Sequence, residues 1–345
     1  MLGFRIMSSV DAVIYRVGLI LPLKKTRNGR MHDLLTSQDN GVHFIHIDLS
    51  TVPSAQSLVD TYGPLDAILH KLAHDMVFEP LGDAAAIKNM QIIRDFVALS
   101  PNVPFIDPLE SVRVLTDRVA VCKMLTSVPG SLFHLPRYVV LDSTASKDKV
   151  LSQIRSGIFP LPVLAKSLEA CGTDASHVMK VISRLEDIEA IDVSMAPIML
   201  QEYVNHGGRL FKGYVLGDDI LVSERTSLPD LSGSMTAVEF NTQSPFPTTA
   251  DFHGPLSSSS SGTAAPLNDP ATLWTEALDK SVQAIGRAIQ ATTNLSLFGF
   301  DVIMASNTNE LMVVDVNYFP SFKEMLNFGS VLRAHVRKVV KSREK

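Results

Sequence analysis

The sequence predicts an α/β protein, with a parallel-sheet lobe first and two lobes of mixed strands and helices after it. Three observations carry this. Short apolar runs alternate with a helix-spaced segment over residues 17–99, as strands and helices of an α/β lobe do. Pro101, Pro104 and Pro108 then punctuate an exit from that region. Near the C-terminus, two strand-like runs flank Ser306-Asn-Thr-Asn-Glu, a strong turn signal. A chain of 345 residues has room for two or three domains of roughly 100–200 residues each, and the reading divides it at 1–107, 108–205 and 206–345.

In chain order, residues 17–21, 42–47 and 65–71 read as strands, and 84–99 as a helix. Polar strand ends would then share one edge, where ligands of α/β sheets tend to sit. A helix is expected over 109–125. Strands follow at 138–141 and 161–166, with a helix near 147–155 between them. A glycine-containing loop occupies 170–177, a helical segment 182–188, and strands 198–204, 210–216 and 219–224. A Ser/Thr/Pro-rich stretch from 229 to 270, including the serine run 257–261, reads as a mobile loop. A long amphipathic helix over 271–292 precedes the final strand pair. The basic tail, 333–345, reads as a solvated helix face.

Composition excludes several classes. Hydrophobic residues are 46% and charged residues 19%, a globular balance that argues against wholesale disorder. No apolar run approaches the ~18–20 residues of a membrane span, and no signal peptide is evident. With 31 basic against 36 acidic residues the net charge is −5, so a globally basic nucleic-acid binder is excluded while a local basic pocket is not. Two cysteines, Cys122 and Cys171, read as reduced thiols, buried or half-buried. Dinucleotide-binding, P-loop, zincin and α/β-hydrolase signatures are absent.

Chemistry concentrates in the last strand pair. With a turn centred on Thr308, Asp301 and Asp315 lie seven residues to either side and face each other across the ladder. Asn317, two residues beyond Asp315, points the same way. Two carboxylates and an amide oxygen on one face suit Mg²⁺ shared with phosphates; the alternative from these residues alone is a carboxylate pair capped by Lys or Arg. Lys166, at a strand end, can reach a nucleotide's phosphates, and the loop from Ala170 to His177 offers backbone N–H groups. Gln201, Glu202, Tyr203 and Val204, at another strand end, could present backbone groups to an adenine edge.

Together these segments resemble an ATP-grasp enzyme, and most closely the inositol 1,3,4-trisphosphate 5/6-kinase (inositol-tetrakisphosphate 1-kinase) family. The resemblance runs, in order, through Leu69-His-Lys-Leu, Ile106-Asp-Pro-Leu-Glu, Leu115-Thr-Asp-Arg and Phe159-Pro-Leu-Pro-Val-Leu-Ala-Lys. It continues with Gly172-Thr-Asp-Ala-Ser-His-Val-Met, Gln201-Glu-Tyr-Val-Asn-His-Gly-Gly-Arg-Leu-Phe-Lys, Phe298-Gly-Phe-Asp-Val-Ile and Asp315-Val-Asn-Tyr-Phe-Pro. It implies an ATP-grasp fold behind a Rossmann-like N-terminal domain that binds the inositol phosphate, the central and C-terminal lobes holding ATP and metal.

The resemblance also implies roles. Arg118 and Lys166 would contact ATP phosphates, the stretch from Gln201 through Glu202, Tyr203 and Val204 to Lys212 would line the adenosine site, and Ser227 would touch ATP. Asp301, Asp315 and Asn317 would hold Mg²⁺. Lys24, Lys71, His177, Lys212, Arg225 and Asn317 would grip the inositol phosphate, with Lys166, His177 and Lys212 closest to the chemistry. An acidic protein must gather such cations locally to bind a polyphosphate. Two departures stand out: Ser167 replaces the usual Pro after the strand-end lysine, which could loosen the turn, and Ser321-Phe322 replaces Gly-Tyr, which bears on substrate choice. The expected activity is transfer of the ATP γ-phosphate to a hydroxyl of an inositol tris- or tetrakisphosphate by a monomeric cytoplasmic enzyme, a nuclear pool being left open. An ATP-grasp carboxylate–amine ligase and a non-catalytic inositol-phosphate-binding protein are the alternatives.

Overall fold

The computed structural model describes residues 14–22, 29–36, 41–194, 197–233, 235–253 and 275–343. Its contacts form two units. The first gathers the described parts of Met1–Leu72, Lys88–Ile106 and Leu326–Lys345, and the second those of Ala73–Ile87 and Asp107–Met325.

In the first unit, β1 (Tyr15–Ile20), β2 (Val42–His46), β3 (Ala67–His70) and β4 (Phe105–Ile106) make a parallel sheet in the order β2-β1-β3-β4. Val17, Leu19, Phe44, Ile68 and Leu69 are all buried, as strands of a parallel sheet covered on both faces require. Helix Ala55–Tyr62 starts where the Ser54 side chain accepts from the Ser57 amide at 3.2 Å, a cap worth about 1 kcal/mol. The basic tail forms the expected helix, with Lys338, Lys341 and Arg343 exposed, but Arg333 is buried. Helix Phe328–Arg343 buries Leu332, Arg333, Val336 and Val340. Arg333 donates to the Leu34 carbonyl at 3.0 Å and its guanidinium lies 5.4 Å from the centre of the Phe44 ring. This segment therefore belongs with the N-terminal residues and not with the 206–345 lobe, because its apolar stripe is buried there.

The second unit holds β5 (Tyr138–Leu141), β6 (Val163–Ser167), β7 (Val178–Ile182), β8 (Ile198–Glu202), β9 (Arg209–Leu216), β10 (Asp219–Thr226), β11 (Val238–Asn241), β12 (Leu297–Met304) and β13 (Leu311–Tyr318). They form two antiparallel sheets, β11-β7-β6-β8-β5 and β10-β9-β12-β13. Helix Thr144–Arg155, opened by a Ser143/Ser146 capping box, covers the first with Val150 and Leu151 against Leu141, Val163 and Leu200. Helix Glu276–Thr293 lies on β9 and β10, burying Val282, Ile285 and Ile289. Phe300 is wedged beneath it: a Cβ at Gly213 would sit 2.2 Å from that ring and one at Gly286 2.9 Å away. Only glycine at both positions lets strand, ring and helix pack at this spacing.

Several local expectations are corrected. The helix read over 109–125 is two, Leu109–Val114 and Arg118–Thr126, because Asp117 caps the second by accepting from the Ala120 amide at 2.7 Å. Residues 178–182 are a strand, and the helix after them is shortened to Leu185–Glu189. The stretch read as a mobile loop contains β11, paired antiparallel with β7, and helix Thr249–His253, whose Phe252 joins a core with Tyr203 and Leu228. The serine run 257–261 lies outside the described residues. Among the described residues, no helix is long and apolar enough to cross a membrane.

Candidate active site

The acidic hairpin forms β12 and β13, and Asp301 pairs with Asp315. The route to that register differs from a simple turn count. Next to the turn Met304 pairs with Leu311 and Val302 with Val313, so the turn is centred between Asn307 and Thr308. A one-residue bulge at Val314 then restores the opposition; without it Asp301 would face Val314. Asn317 donates its side-chain amide to Asp315 Oδ2 at 2.8 Å, so it shares that face.

The row extends across the sheet. Lys212 on β9 pairs with Asp301, and Ser223 on β10 pairs with Lys212, so Ser223, Lys212, Asp301 and Asp315 form one transverse line. Lys212 Nζ reaches Asp301 Oδ1 at 2.6 Å. The line floors a cleft of about 1050 Å³ in the second unit, whose other wall includes Leu164, Lys166 and Gln201 from β6 and β8.

On that wall Lys166 is buried, its Nζ donating to Gln201 Oε1 at 2.6 Å. Arg118 is buried beside it and acts as a strut, donating through Nε to the Ser167 carbonyl at 3.0 Å and through Nη2 to the Ser176 carbonyl at 2.9 Å. Its Nη1 lies 3.8 Å from Asp315. The glycine loop is thereby held at both ends, and Gly172 turns it at φ +93°, a conformation other residues resist. Ser167, which could have loosened this turn, is tied into it: its hydroxyl donates to the Glu169 carbonyl at 3.0 Å.

The 203–208 segment is tied to 227–231. Asp230 accepts from the amides of His206 and Gly207, both at 2.7 Å, and Tyr203 donates its hydroxyl to the Pro229 carbonyl at 2.6 Å. Burial lowers the pKa of His206. Neutral His206 donates from Nδ1 to the Val204 carbonyl at 2.6 Å, leaving Nε2 to accept from the Ser227 hydroxyl at 2.8 Å. Glu202 turns outward to Arg137 at 3.0 Å. The Val204 amide lies past the end of β8 and has no protein acceptor among the described residues.

Electrostatics separate the two central carboxylates. Burial raises the pKa of Asp301, which Lys212 only partly offsets. Burial alone would raise Asp315 too, but the charges of Arg118 and Lys166 hold it below the usual range. Lys166 is pushed down to about 8, mainly by burial and then by Arg118. Holding Lys166 charged therefore costs stability below about pH 8, and that cost fades as the pH rises from there towards its ordinary value of 10.5. Its charge is also lost over that range, so kcat/KM for a nucleotide is expected to fall above about pH 8. A Lys166→Arg enzyme, whose side chain stays protonated, should lack that limb; an unchanged pH profile would assign the titration to another group.

Two family matches decide what this arrangement belongs to. The inositol 1,3,4-trisphosphate 5/6-kinase ATP-grasp domain matches residues 130–338, and the pre-ATP-grasp domain of the same kinase matches residues 16–112. The chain belongs to the inositol 1,3,4-trisphosphate 5/6-kinase family. Inositol-tetrakisphosphate 1-kinase 1 of Arabidopsis thaliana is 30% identical over 338 residues, spanning 92% of this chain and 93% of its own. Inositol-tetrakisphosphate 1-kinase of Danio rerio is 28% identical over 335 residues, spanning 94% of this chain and 79% of its own. Among solved structures, a RimK domain ATP-grasp protein of Sphaerobacter thermophilus aligns at TM-score 0.54 and 15% identity over 94% of this chain and 98% of that one. N5-carboxyaminoimidazole synthetase of Staphylococcus aureus aligns at 0.55 and 12% identity, covering 95% and 78%. These carry the fold, which is the expected ATP-grasp architecture.

For this kinase family member, the cleft brings together most of the residues singled out from sequence. Arg118, Lys166, His177, Gln201, Lys212 and Ser227 line it, as do Glu202, Tyr203, Val204, Arg225, Asp301, Asp315 and Asn317. Lys71 lies at the end of β3 in the first unit, its amide donating to the Ile20 carbonyl at 2.9 Å, and Lys24 falls outside the described residues. Neither cysteine forms a disulfide: Cys122 is buried, its thiol pushed up to about 11 by burial, and Cys171 is half-buried.

Three residues of the site escaped the sequence reading. Asp230 organises the hinge-like segment, Ser223 completes the transverse row, and Glu324 meets Arg225. None has a local spacing signal, since each finds its partner across the fold. Asp107, read only as part of a motif, is a clamp. Its carboxylate accepts from the Ser296 and Leu297 amides at 2.7 and 2.8 Å, and its own amide donates to the Tyr318 hydroxyl at 2.8 Å. It thus grips the first residue of β12 and the last of β13.

Proposed function

We propose that this chain transfers the γ-phosphoryl group of ATP to a hydroxyl of an inositol tris- or tetrakisphosphate, as a 1,3,4-trisphosphate 5/6-kinase and 3,4,5,6-tetrakisphosphate 1-kinase. The observation that carries this reading is the transverse row of Lys212, Asp301 and Asp315, facing buried Lys166 across one cleft. Among the described residues no three His, Cys, Asp or Glu side chains cluster as a metal site. Two carboxylates plus the Asn317 amide oxygen nonetheless fit Mg²⁺, a hard cation that keeps waters and shares substrate phosphates. The raised pKa of Asp301 supports the fit, because a dication there would offset the burial that opposes its charge.

Asp301, Asp315 and Asn317 would hold Mg²⁺, which would supply positive charge to offset the negative charge of the ATP phosphates. Lys166 and Arg118 add positive charge on the facing wall, where the phosphate chain would lie. The Val204 amide would donate to an adenine edge, and Ser227 is oriented by His206. Lys212 and His177 face the same cleft and would orient the acceptor. Catalysis of this kind is mainly positioning and charge stabilisation in a water-poor site.

The test is ATP turnover by the purified protein with Mg²⁺ against a panel of inositol tris- and tetrakisphosphates, products resolved by isomer. Acceptor-dependent phosphorylation is the expected result. Tight binding of an acceptor without turnover would favour the non-catalytic alternative, and no binding at all would sink the assignment of the basic residues.

A further inference from the structure

Five ion pairs among the described residues connect the cations of this cleft, or those around it, to carboxylates of the chain itself: Lys212 with Asp301, Arg118 with Asp315, Arg137 with Glu202, Arg225 with Glu324, and Arg209 with Glu224. The first two carboxylates have a use in holding a dication. The third points away to Arg137. Glu324 has neither role, yet it lines the cleft and holds the one β10 arginine that a phosphate there would seek.

Its position is defined by the row next to the metal row. Tyr214 on β9 pairs with Gly299, and Gly299 with Asn317, so Tyr214 and Asn317 share a line one same-face step from Lys212 and Asp315. Arg225 starts on the line of Leu210 but reaches along β10, donating to the Tyr214 hydroxyl at 2.6 Å and to Glu324 Oε1. Glu324 therefore meets the Tyr214 end of this line, next to the metal row. Its Oε2 is buried with no hydrogen-bond partner among the described residues, and so is the Ser223 hydroxyl in the adjoining line. Both residues line the cleft, and with its side chain one-third exposed, at 33%, Glu324 remains open to a polar ligand there.

We propose that Glu324, clamped by Arg225 beside Tyr214, is a specificity-determining residue that accepts a free hydroxyl of the inositol acceptor and turns away a phosphate at that ring position. This rests on the kinase reading. An ionised carboxylate can only accept, which suits a hydroxyl donor; a phosphate at neutral pH carries further negative charge and is repelled. Burial opposes ionisation of Glu324, but the Tyr214 hydroxyl and Arg225 charge hold its carboxyl below the usual range, so the repulsion persists at neutral pH. The Arg225 charge, meanwhile, is occupied by the chain's own carboxylate. A more highly phosphorylated acceptor would have to displace Glu324 to use it. Glu324 follows the Ser321-Phe322 departure, so the feature belongs to the segment already expected to bear on substrate choice.

The experiment compares wild type, Glu324→Gln and Glu324→Asp in kcat/KM for inositol tris-, tetrakis- and pentakisphosphates. Removing the charge should raise the pentakis-to-tris ratio about tenfold or more, through KM, because like-charge contacts are costly. Glu324→Asp, which keeps the charge, should retain most of the wild-type preference. A ratio unchanged in Glu324→Gln, or an equal loss of kcat with every acceptor in both variants, overturns the proposal and leaves the kinase reading standing. Wild type inert with every acceptor overturns both.

Discussion

Asp315→Asn is expected to lower turnover by about 10³-fold, since a metal-held phosphoryl transfer loses several kcal/mol of stabilisation when a carboxylate ligand becomes a neutral amide. The fold should survive, because the amide keeps the shape and can still meet the Asn317 side chain. A second readout separates lost chemistry from lost structure. Asp315 is one of the charges that keep Lys166 protonated, so without it the lysine's pKa should drop further below about 8 and the alkaline limb should move down with it. Full turnover in the variant would refute the role assigned to Asp315. Reduced turnover with an unmoved alkaline limb would refute the electrostatic link to Lys166.

Asp107→Ala is expected to be the most destabilising single change considered. It leaves the buried amides of Ser296 and Leu297 without their acceptor, at about 1–3 kcal/mol each. With roughly 2–4 °C of melting temperature per kcal/mol in a domain of this size, a fall of about 10 °C is expected by calorimetry. Asp107→Asn should cost less, because it retains one acceptor oxygen and because burial already raises the pKa of Asp107, making its charge expensive. Equal melting temperatures for wild type and Asp107→Ala would show that the clamp on β12 and β13 contributes nothing.

How much was legible in advance varies with the range of the interaction. β1 and β3 were readable because their burial leaves apolar runs, whereas the two-residue β4 was not read, and the helix over 276–293 was readable because its apolar residues recur on one face. β7 was missed: its Val-Met-Lys-Val-Ile has only its last two residues buried, and what makes it a strand is pairing with β6 and β11 on either side. β11 was missed for the same reason, within a Ser/Thr/Pro-rich stretch that looks unstructured by composition. The opposition of Asp301 and Asp315 was anticipated from a turn count, yet it depends on a bulge that the count did not contain.

By itself, the amino-acid sequence determined most of the elements and the chemical inventory: two aspartates and an asparagine alternating on a hairpin, a lysine ending a strand, and an ordered set of segments resembling one kinase family. Local periodicity and residue chemistry are enough for these, since each is set within a few neighbouring residues. The tertiary structure alone decided which charges meet. Lys212 finds Asp301 across 89 residues, Arg225 finds Glu324 across 99, and Asp107 binds Ser296 across 189. It also converted Arg118 from a free cation into a strut for the glycine loop and buried Arg333 from a tail that looked solvated. No short-range pattern encodes such pairings, because they come from strand order, one bulged residue and burial, which exist only once the sheets have formed.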